Sequence, residues 1–351
     1  MGPGVVGRVT ALLRAMAGRI ISQIRGICGP GHGLNATAAT LLNQGASIHY
    51  ILADHNERSM LLSGRMAASV LSREHSIADL SQVEFRVFSQ WGEDGIIEWL
   101  VSHVAVPNTH FVEFGVGSFH EANCRFLLLN RNWKGLVMDS SAEFMAGLRT
   151  EAIYWKHDLT AAAAFISVEN INELIGGHGF GGPLGILSID VDGNDYWIWK
   201  AVTCVDPAIV ICEYNPIFGD TRAVSIPYDA KFTRFAGHSS GLYFGCSIAA
   251  LRHLAGQRGY TFVGTNSNGI NAFFVRNDLA SSVTALLGEC RAFPSRHRDS
   301  RDQAGQLSYT GGTARFDLIR HLPVIDVVTG NAVILGDIAS PYSDRWLQQM
   351  L

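Results

Sequence analysis

Beyond residue 109 the apolar positions fall into short runs: THFVEFG, KGLVMDS, AIYWKHD, GILSIDVD and AIVICEYN. Each is a block of Val, Ile, Leu, Ala or Phe that ends on polar or acidic residues, as buried strands do where they leave a core. Between them lie RFLLLNR, SAEFMAGLR, AAAAFISVENINELI and YWIWKAV, which read as helices. This alternation predicts βαβ units, hence an α/β fold with a mostly parallel sheet and helices on both faces. The segment GYTFVGTNSNGINAFFVRND, 259–278, breaks the rhythm, because two apolar runs flank an Asn-Gly turn region. It predicts an antiparallel hairpin closing the sheet, an ending that departs from the usual nicotinamide dinucleotide fold.

Outside this region the pattern is helical near 55–80, after a glycine-rich break at GPGHG, and again at 246–256. HLPVIDVVTGNAVILGDI predicts a further strand pair, PYSDRWLQQML a terminal helix, and RAFPSRHRDSRDQAG a charged surface connection. The organisation expected is an N-terminal helical extension over 1–80, a main domain over 81–280 and a C-terminal extension over 281–351 packed on that domain.

Composition narrows the function. With 351 residues, 47% of them hydrophobic, the chain has ample core, and a net charge of -4 leaves no electrostatic footprint for nucleic acid. The six cysteines form no CxxC pair, so reduced thiols in the cytoplasm are expected. No HExxH exists among the thirteen histidines, and any metal would have to be held by carboxylates. The first residues carry Arg8, Arg14, Arg19 and Arg25 between apolar clusters, with no acid before Asp54. Such a segment is too interrupted for a spanning or secretory helix. It suits a helix against the core, a partner subunit of a homo-oligomer, or peripheral contact with the inner membrane surface near lipid-linked substrates.

Candidate chemistry sits where the strands end. In FVEFGVGSFHEANC, Gly115 and Gly117 follow the first strand as a cofactor-binding turn requires, but a third glycine is missing and Phe119 and His120 stand there instead. Glu113 lies inside that strand and needs a cofactor amine or a backbone donor. Asp139, with Ser140 after it, ends the second strand, placed either to receive ribose hydroxyls or to cap the next helix. Asp158, read as the end of the third strand, has the same two roles open, with a purine amine as ligand.

The fourth strand leaves through DVDGNDYWIW, which places Asp190, Asp192 and Asp195 within six positions ahead of Tyr196, Trp197 and Trp199. A calcium loop would need glycine at its sixth position and glutamate at its twelfth, where this segment has Asp195 and Ala201. Glu213 ends the fifth strand in ICEYN. Asp190, Asp192 and Glu213 can share a Mg2+ ion, and Asp192, Asp195 or Glu213 can instead take a proton from a hydroxyl. The aromatic residues either wall a groove or anchor the following helix. His238 in AGHSSG is a more remote base.

FSQWGEDGIIEWL, FVEFGVGSFHEANCRFLLLNRNWKGLVMDSS and LGILSIDVDGNDYWIWKAV together resemble the FkbM-like group of S-adenosylmethionine-dependent methyltransferases, and more loosely the macrocin O-methyltransferases, over about 85–280. The resemblance implies the class I methyltransferase fold, a Rossmann-like seven-strand sheet, and S-adenosylmethionine as cofactor. It implies methyl transfer to a hydroxyl of a sugar, glycan or small natural product. Glu113, Gly115 and Gly117 would shape the methionine end of the cofactor, Asp139 its ribose, and Gln90, Glu93 and Asp94 a polar wall. Where the family often has D-x-E-G, this chain has Asp190, Val191, Asp192 and Gly193. Two other classes stay open: a catalytically silent binding or assembly protein with this fold, and a nicotinamide-dependent oxidoreductase.

Overall fold

A computed structural model describes residues 32–350. The basic segment with Arg8, Arg14, Arg19 and Arg25 lies outside the described residues. The chain divides after Ser63 into two compact units. Helix α1 runs from His32 to Leu71 and so ends earlier than the helical reading of 55–80. Among the described residues no helix is long and apolar enough to cross a membrane.

The unit from Gly64 onward is built on seven strands: β1 (His110–Phe114), β2 (Lys134–Asp139), β3 (Leu159–Ala163), β4 (Gly182–Ile189), β5 (Val205–Glu213), β7 (Tyr260–Thr265) and β8 (Asn271–Arg276). Their order is β3-β2-β1-β4-β5-β8-β7. The first five are parallel, and β8 runs antiparallel to both β5 and β7. The expected α/β class, the parallel core and the closing hairpin are all present, in the arrangement of class I methyltransferase Rossmann-like folds.

Helices α2 (Glu93–His103), α3 (Arg125–Arg131), α4 (Ala142–Thr150), α5 (Ala152–Lys156), α6 (Ile171–Gly177), α7 (Asp195–Ala201), α8 (Arg234–Gly237), α9 (Ile248–Arg258) and α10 (Asn277–Thr284) follow in chain order. Period-two alternation divides the sheet between two cores. Phe111, Ile186, Ile209, Ile211, Phe273 and Val275 pack with residues of α2, α3, α4 and α10. Their strand neighbours Val112, Leu187, Val210, Cys212 and Phe274 pack on the other face with α6, α7 and α9. Each fully buried side chain of this size contributes about 1.5–3 kcal/mol. The near-continuous apolar runs of the sequence are thus strands buried on both sides.

One strand differs from its reading. AIYWK forms the short helix α5, and the third strand is LTAAA, taken from a stretch that looked helical. Four successive alanines have no face of their own, so the sheet decides their conformation. β3 pairs with β2 from Gly135↔Leu159 to Asp139↔Ala163.

The remainder forms a small annex. Strands β6 (Val224–Ser225), β9 (Pro323–Asp326) and β10 (Ala332–Ile334) make a separate sheet, with β9 in the middle. Val224, Ile226, Leu242, Tyr243, Ile319, Val324 and Leu335 form its core. Helices α11 (Ala314–Ile319) and α12 (Asp344–Met350) complete the chain. The C-terminal strand pair and terminal helix therefore occur where the sequence pattern put them.

Candidate active site

In the sheet β1 lies between β2 and β4, so chain progression reverses across the β1–β4 pair. The carboxyl ends of these strands open a crevice at the switch point. Gly115 closes β1 with φ +70°, and a methyl group there would meet the Asp190 carbonyl oxygen at 1.6 Å. Only glycine allows the two strand exits to approach this closely. Gly117 also has a positive φ, +53°, but a methyl group added there would meet nothing within 4 Å. Its N–H donates to Asp139 Oδ2 at 2.8 Å, while Ser141 N–H donates to Oδ1 at 2.8 Å. Ser141 itself caps α4, so the carboxylate of Asp139 ties the β1 and β2 exits together instead of capping the helix. Each of its oxygens keeps a second lone pair.

A cavity of about 610 Å³ lies along these exits, lined by Gly115, Gly117, Asp139, Ser140, Phe144 and the 164–166 segment that follows β3. Phe232, Arg234 and Phe235 from the region around α8 form another part of its wall. A second cavity of about 180 Å³ is lined by Gln90, Glu213, Asn215, Phe244, Ser295, His297 and Arg315 among others. The two share Gly115, Asp190, Asp192, Arg234 and Asp299. The strand-end carboxylates thus stand between two compartments.

The turn from β4 to α7 is shaped by its own acids. Asp192 takes a left-handed conformation, φ +55°, which leaves its side chain exposed at 3.6 Å from Arg234 Nη1. Asp195 is fully buried and accepts hydrogen bonds from Val191 N–H at 2.8 Å and Gly193 N–H at 3.1 Å. Asp195 lines neither cavity, which corrects its candidacy as a proton acceptor: its two oxygens hold the turn. Tyr196 and Trp199 are buried in the sheet core, and Trp197 Nε1–H donates to Ile226 O at 2.9 Å, so these aromatics anchor the helix.

Asp190, Asp192 and Glu213 each offer an oxygen within 4.8 Å of the others. Burial, reinforced by Asp192 and Asp195, pushes the Asp190 carboxyl well above its usual range, with Arg234 opposing. Glu213 is raised for the same first reason, then by Asp190 and Asp195. Glu213 Oε2 is buried with no hydrogen-bond partner. Such a cluster calls for a proton or a cation, and its hard oxygen donors match Mg2+.

Several expected cofactor contacts lie elsewhere. Glu113 is buried and accepts from Asn123 N–H (2.7 Å) and Cys124 N–H (3.0 Å) ahead of α3, so a backbone donor and not a cofactor amine satisfies it. Glu93 Oε1 receives the Asn266 and Asn271 amides at 2.7 and 3.1 Å, fastening α2 to the hairpin. Asp94 Oδ2 collects the N–H groups of Val87, Phe88 and Ser89. Asp158 precedes β3 instead of ending it, and pairs with Lys134 at 3.8 Å, away from both cavities. His238 hydrogen-bonds Ser240 Oγ at 2.7 Å and lines neither cavity. Gln90, Gly115, Gly117, Asp139, Ser140, Asp190, Asp192 and Glu213 do line them.

Sequence reading missed Arg234, Asn215 and Arg315, and it placed Ser295, His297 and Asp299 in a surface connection. That segment in fact turns inward and contributes to the smaller cavity, with Ser295 and Ser300 buried. Asn215 follows the end of β5 by two residues, whereas no spacing rule marks the others, since they do not come from a strand end.

No family model matches the chain, and no curated protein does. Among solved structures, it is similar to an S-adenosylmethionine-dependent methyltransferase from Clostridium acetobutylicum, with a TM-score of 0.33 and 11% identity over 52% of this chain and 90% of that one. It is also similar to an O-methyltransferase from Bacillus cereus in complex with SAH, at a TM-score of 0.33 and 10% identity over 73% and 95%. An O-methyltransferase family protein from Burkholderia thailandensis has a TM-score of 0.33 and 9% identity over 63% and 70%. At TM-scores of 0.33 these likenesses carry no argument about this chain.

Proposed function

We propose that the chain is an S-adenosylmethionine-dependent methyltransferase of the FkbM-like kind, acting on a hydroxyl oxygen of a sugar, glycan or small natural product. The observation that carries this reading is the pair of cavities meeting at Gly115, Asp190 and Asp192, one for a donor and one for an acceptor. The larger cavity fits the cofactor: a positive-φ glycine turn leaves backbone exposed, Asp139 has free lone pairs for ribose hydroxyls, and Phe144 with Ile166 provides apolar surface for a purine.

S-adenosylmethionine supplies a methyl group already activated on a sulfonium. What remains for the protein is to align an acceptor oxygen and remove its proton. Asp192, exposed where the two cavities meet, is placed to take that proton, with Arg234 beside it to hold the carboxylate in position. In place of that base role, Asp192 would join Asp190 and Glu213 in holding a Mg2+ ion, whose charge would lower the hydroxyl pKa. The unpartnered Glu213 Oε2 supports this fit.

Calorimetric titration with S-adenosylhomocysteine tests the reading. The wild type should bind one equivalent, and Asp139→Ala should bind about 1–3 kcal/mol more weakly, the worth of two desolvated hydrogen bonds to a carboxylate. Absence of binding by the wild type would refute the cofactor assignment, and unchanged affinity in the variant would remove Asp139 from the site.

A further inference from the structure

The smaller cavity contains one buried cation that no carboxylate answers. Its lining includes the carboxylates of Asp190, Asp192, Glu213 and Asp299 and the guanidinium groups of Arg234 and Arg315. Asp192 and Arg234 face each other at 3.6 Å, and Asp299 is paired with Arg301 at 3.2 Å. Asp190 and Glu213 belong to the carboxylate cluster whose oxygens lie within 4.8 Å of one another.

Arg315 has no such partner. It is 4% exposed, and its Nη1 and Nη2 donate to the carbonyls of His297 and Ser295 at 2.8 and 2.7 Å, with Nε toward Gly312 O at 3.4 Å. Among the described residues no carboxylate pairs with it. Neutral carbonyls satisfy donors without neutralising charge, and a buried cation without a counter-ion is costly. Three of the five guanidinium donors are used, which leaves one N–H on each Nη. A guanidinium with donors to spare among the residues that line a cavity matches a carboxylate or phosphate. His297, whose ring stacks edge-on with Trp91 at 5.8 Å, lines the same cavity, as does Ser295.

We propose that the acceptor carries an anionic substituent, a carboxylate, phosphate or sulfate, and that Arg315 receives it in the smaller cavity beside His297 and Ser295. The proposal rests on the methyl-transfer reading for the word acceptor, and it makes the substrate an acidic hydroxyl compound such as a uronic or phosphorylated sugar. Arg315 is then the residue that selects acidic over neutral acceptors.

The test is calorimetric titration of the full chain with inorganic phosphate, and separately sulfate, at constant ionic strength and without methyl donor. Saturable one-to-one binding is expected with Kd on the order of 1 mM. Arg315→Gln should weaken it at least about tenfold, while Arg296→Gln, an exposed position lining neither cavity, should leave it unchanged. Because Arg315 also ties three carbonyls, a urea midpoint checks the fold of the variant. A second measurement needs no change at Arg315: the ring resonances of His297, assigned through His297→Gln, should move with the same saturation in the wild type. Lack of saturable binding by the wild type overturns the proposal. So does binding that leaves the His297 resonances unmoved, or that persists in folded Arg315→Gln. A protein that binds phosphate in this way but no S-adenosylhomocysteine would keep the anion site and refute the methyltransferase reading. The reverse result would separate the two in the other direction.

Discussion

Replacing Gly115 by alanine should destabilise the protein far more than the same change two residues later. At Gly115 the added methyl would lie 1.6 Å from the Asp190 carbonyl oxygen and 2.8 Å from its carbon, with φ at +70°. Backbone cannot rotate away as a side chain can, so the β4 exit must move. Left-handed strain costs about 1–2 kcal/mol and forced overpacking about 1–3 kcal/mol, which together make roughly 2–5 kcal/mol. Gly117 has φ +53° but open space around the added methyl, so Gly117→Ala carries only the strain, about 1–2 kcal/mol. Urea unfolding followed by circular dichroism gives both midpoints under one m-value. Equal midpoints for the two variants, or a Gly115→Ala protein as stable as the wild type, would refute the claim that the two strand exits are in backbone contact.

Two further outcomes follow from buried carboxylates outside the cavities. Burial raises Glu113 to about 7, with the N–H groups of Cys124 and Asn123 opposing, so between its unfolded value of 4.5 and that point the unfolded state alone ionises. This contribution is fully present below pH 4.5 and lost as pH rises through 7, a loss of about 3 kcal/mol that Glu113→Gln should abolish in urea midpoints measured across that range. Asp195→Asn leaves either Val191 N–H or Gly193 N–H without its acceptor and should cost about 1–3 kcal/mol of stability. A variant of unchanged stability with abolished methyl transfer would instead make Asp195 a proton acceptor.

The sheet was legible because strands buried on both faces announce themselves as apolar runs, and because the hairpin at 259–278 carries its turn chemistry locally. β3 was not, since LTAAA has too little side chain to declare a period and takes its conformation from β2. Within the site, Gly115, Asp139, Asp190 and Glu213 could be found as polar residues following apolar runs. Glu93, Asp94 and Glu113 look the same in one dimension. What separates them is whether the residue lines a cavity, and Glu113 and Asp94 do not, being turned instead onto N–H groups of loops whose path the sequence does not spell out. Arg234 and Arg315 had no signal of that kind, because an arginine in the first turn of a short helix far from the strand ends, α8 or α11, reads as surface until its burial is known.

The same criterion assigns the acids of DVDGND. Asp195 spends both oxygens on backbone donors two and four residues earlier, which bends the chain so that Asp192 must adopt a left-handed φ. A non-glycine residue in that region costs about 1 kcal/mol, less for an aspartate whose short side chain tolerates it. Gly193 follows with its own constraint, since a methyl group there would meet the Phe232 ring at 2.3 Å. Phe232 in turn lines the larger cavity. The turn is therefore fixed from inside by Asp195 and packed from outside by Phe232. The carboxylate it presents between the two cavities, that of Asp192, is the exposed one of the three and faces the Arg234 side chain. Asp190, one residue past the strand, lacks the freedom to project, and its Gly115 contact keeps it beside Glu213. A single six-residue stretch thus divides its acids by backbone geometry: one builds the turn, one lies beside Glu213, and one stands exposed where the two cavities meet.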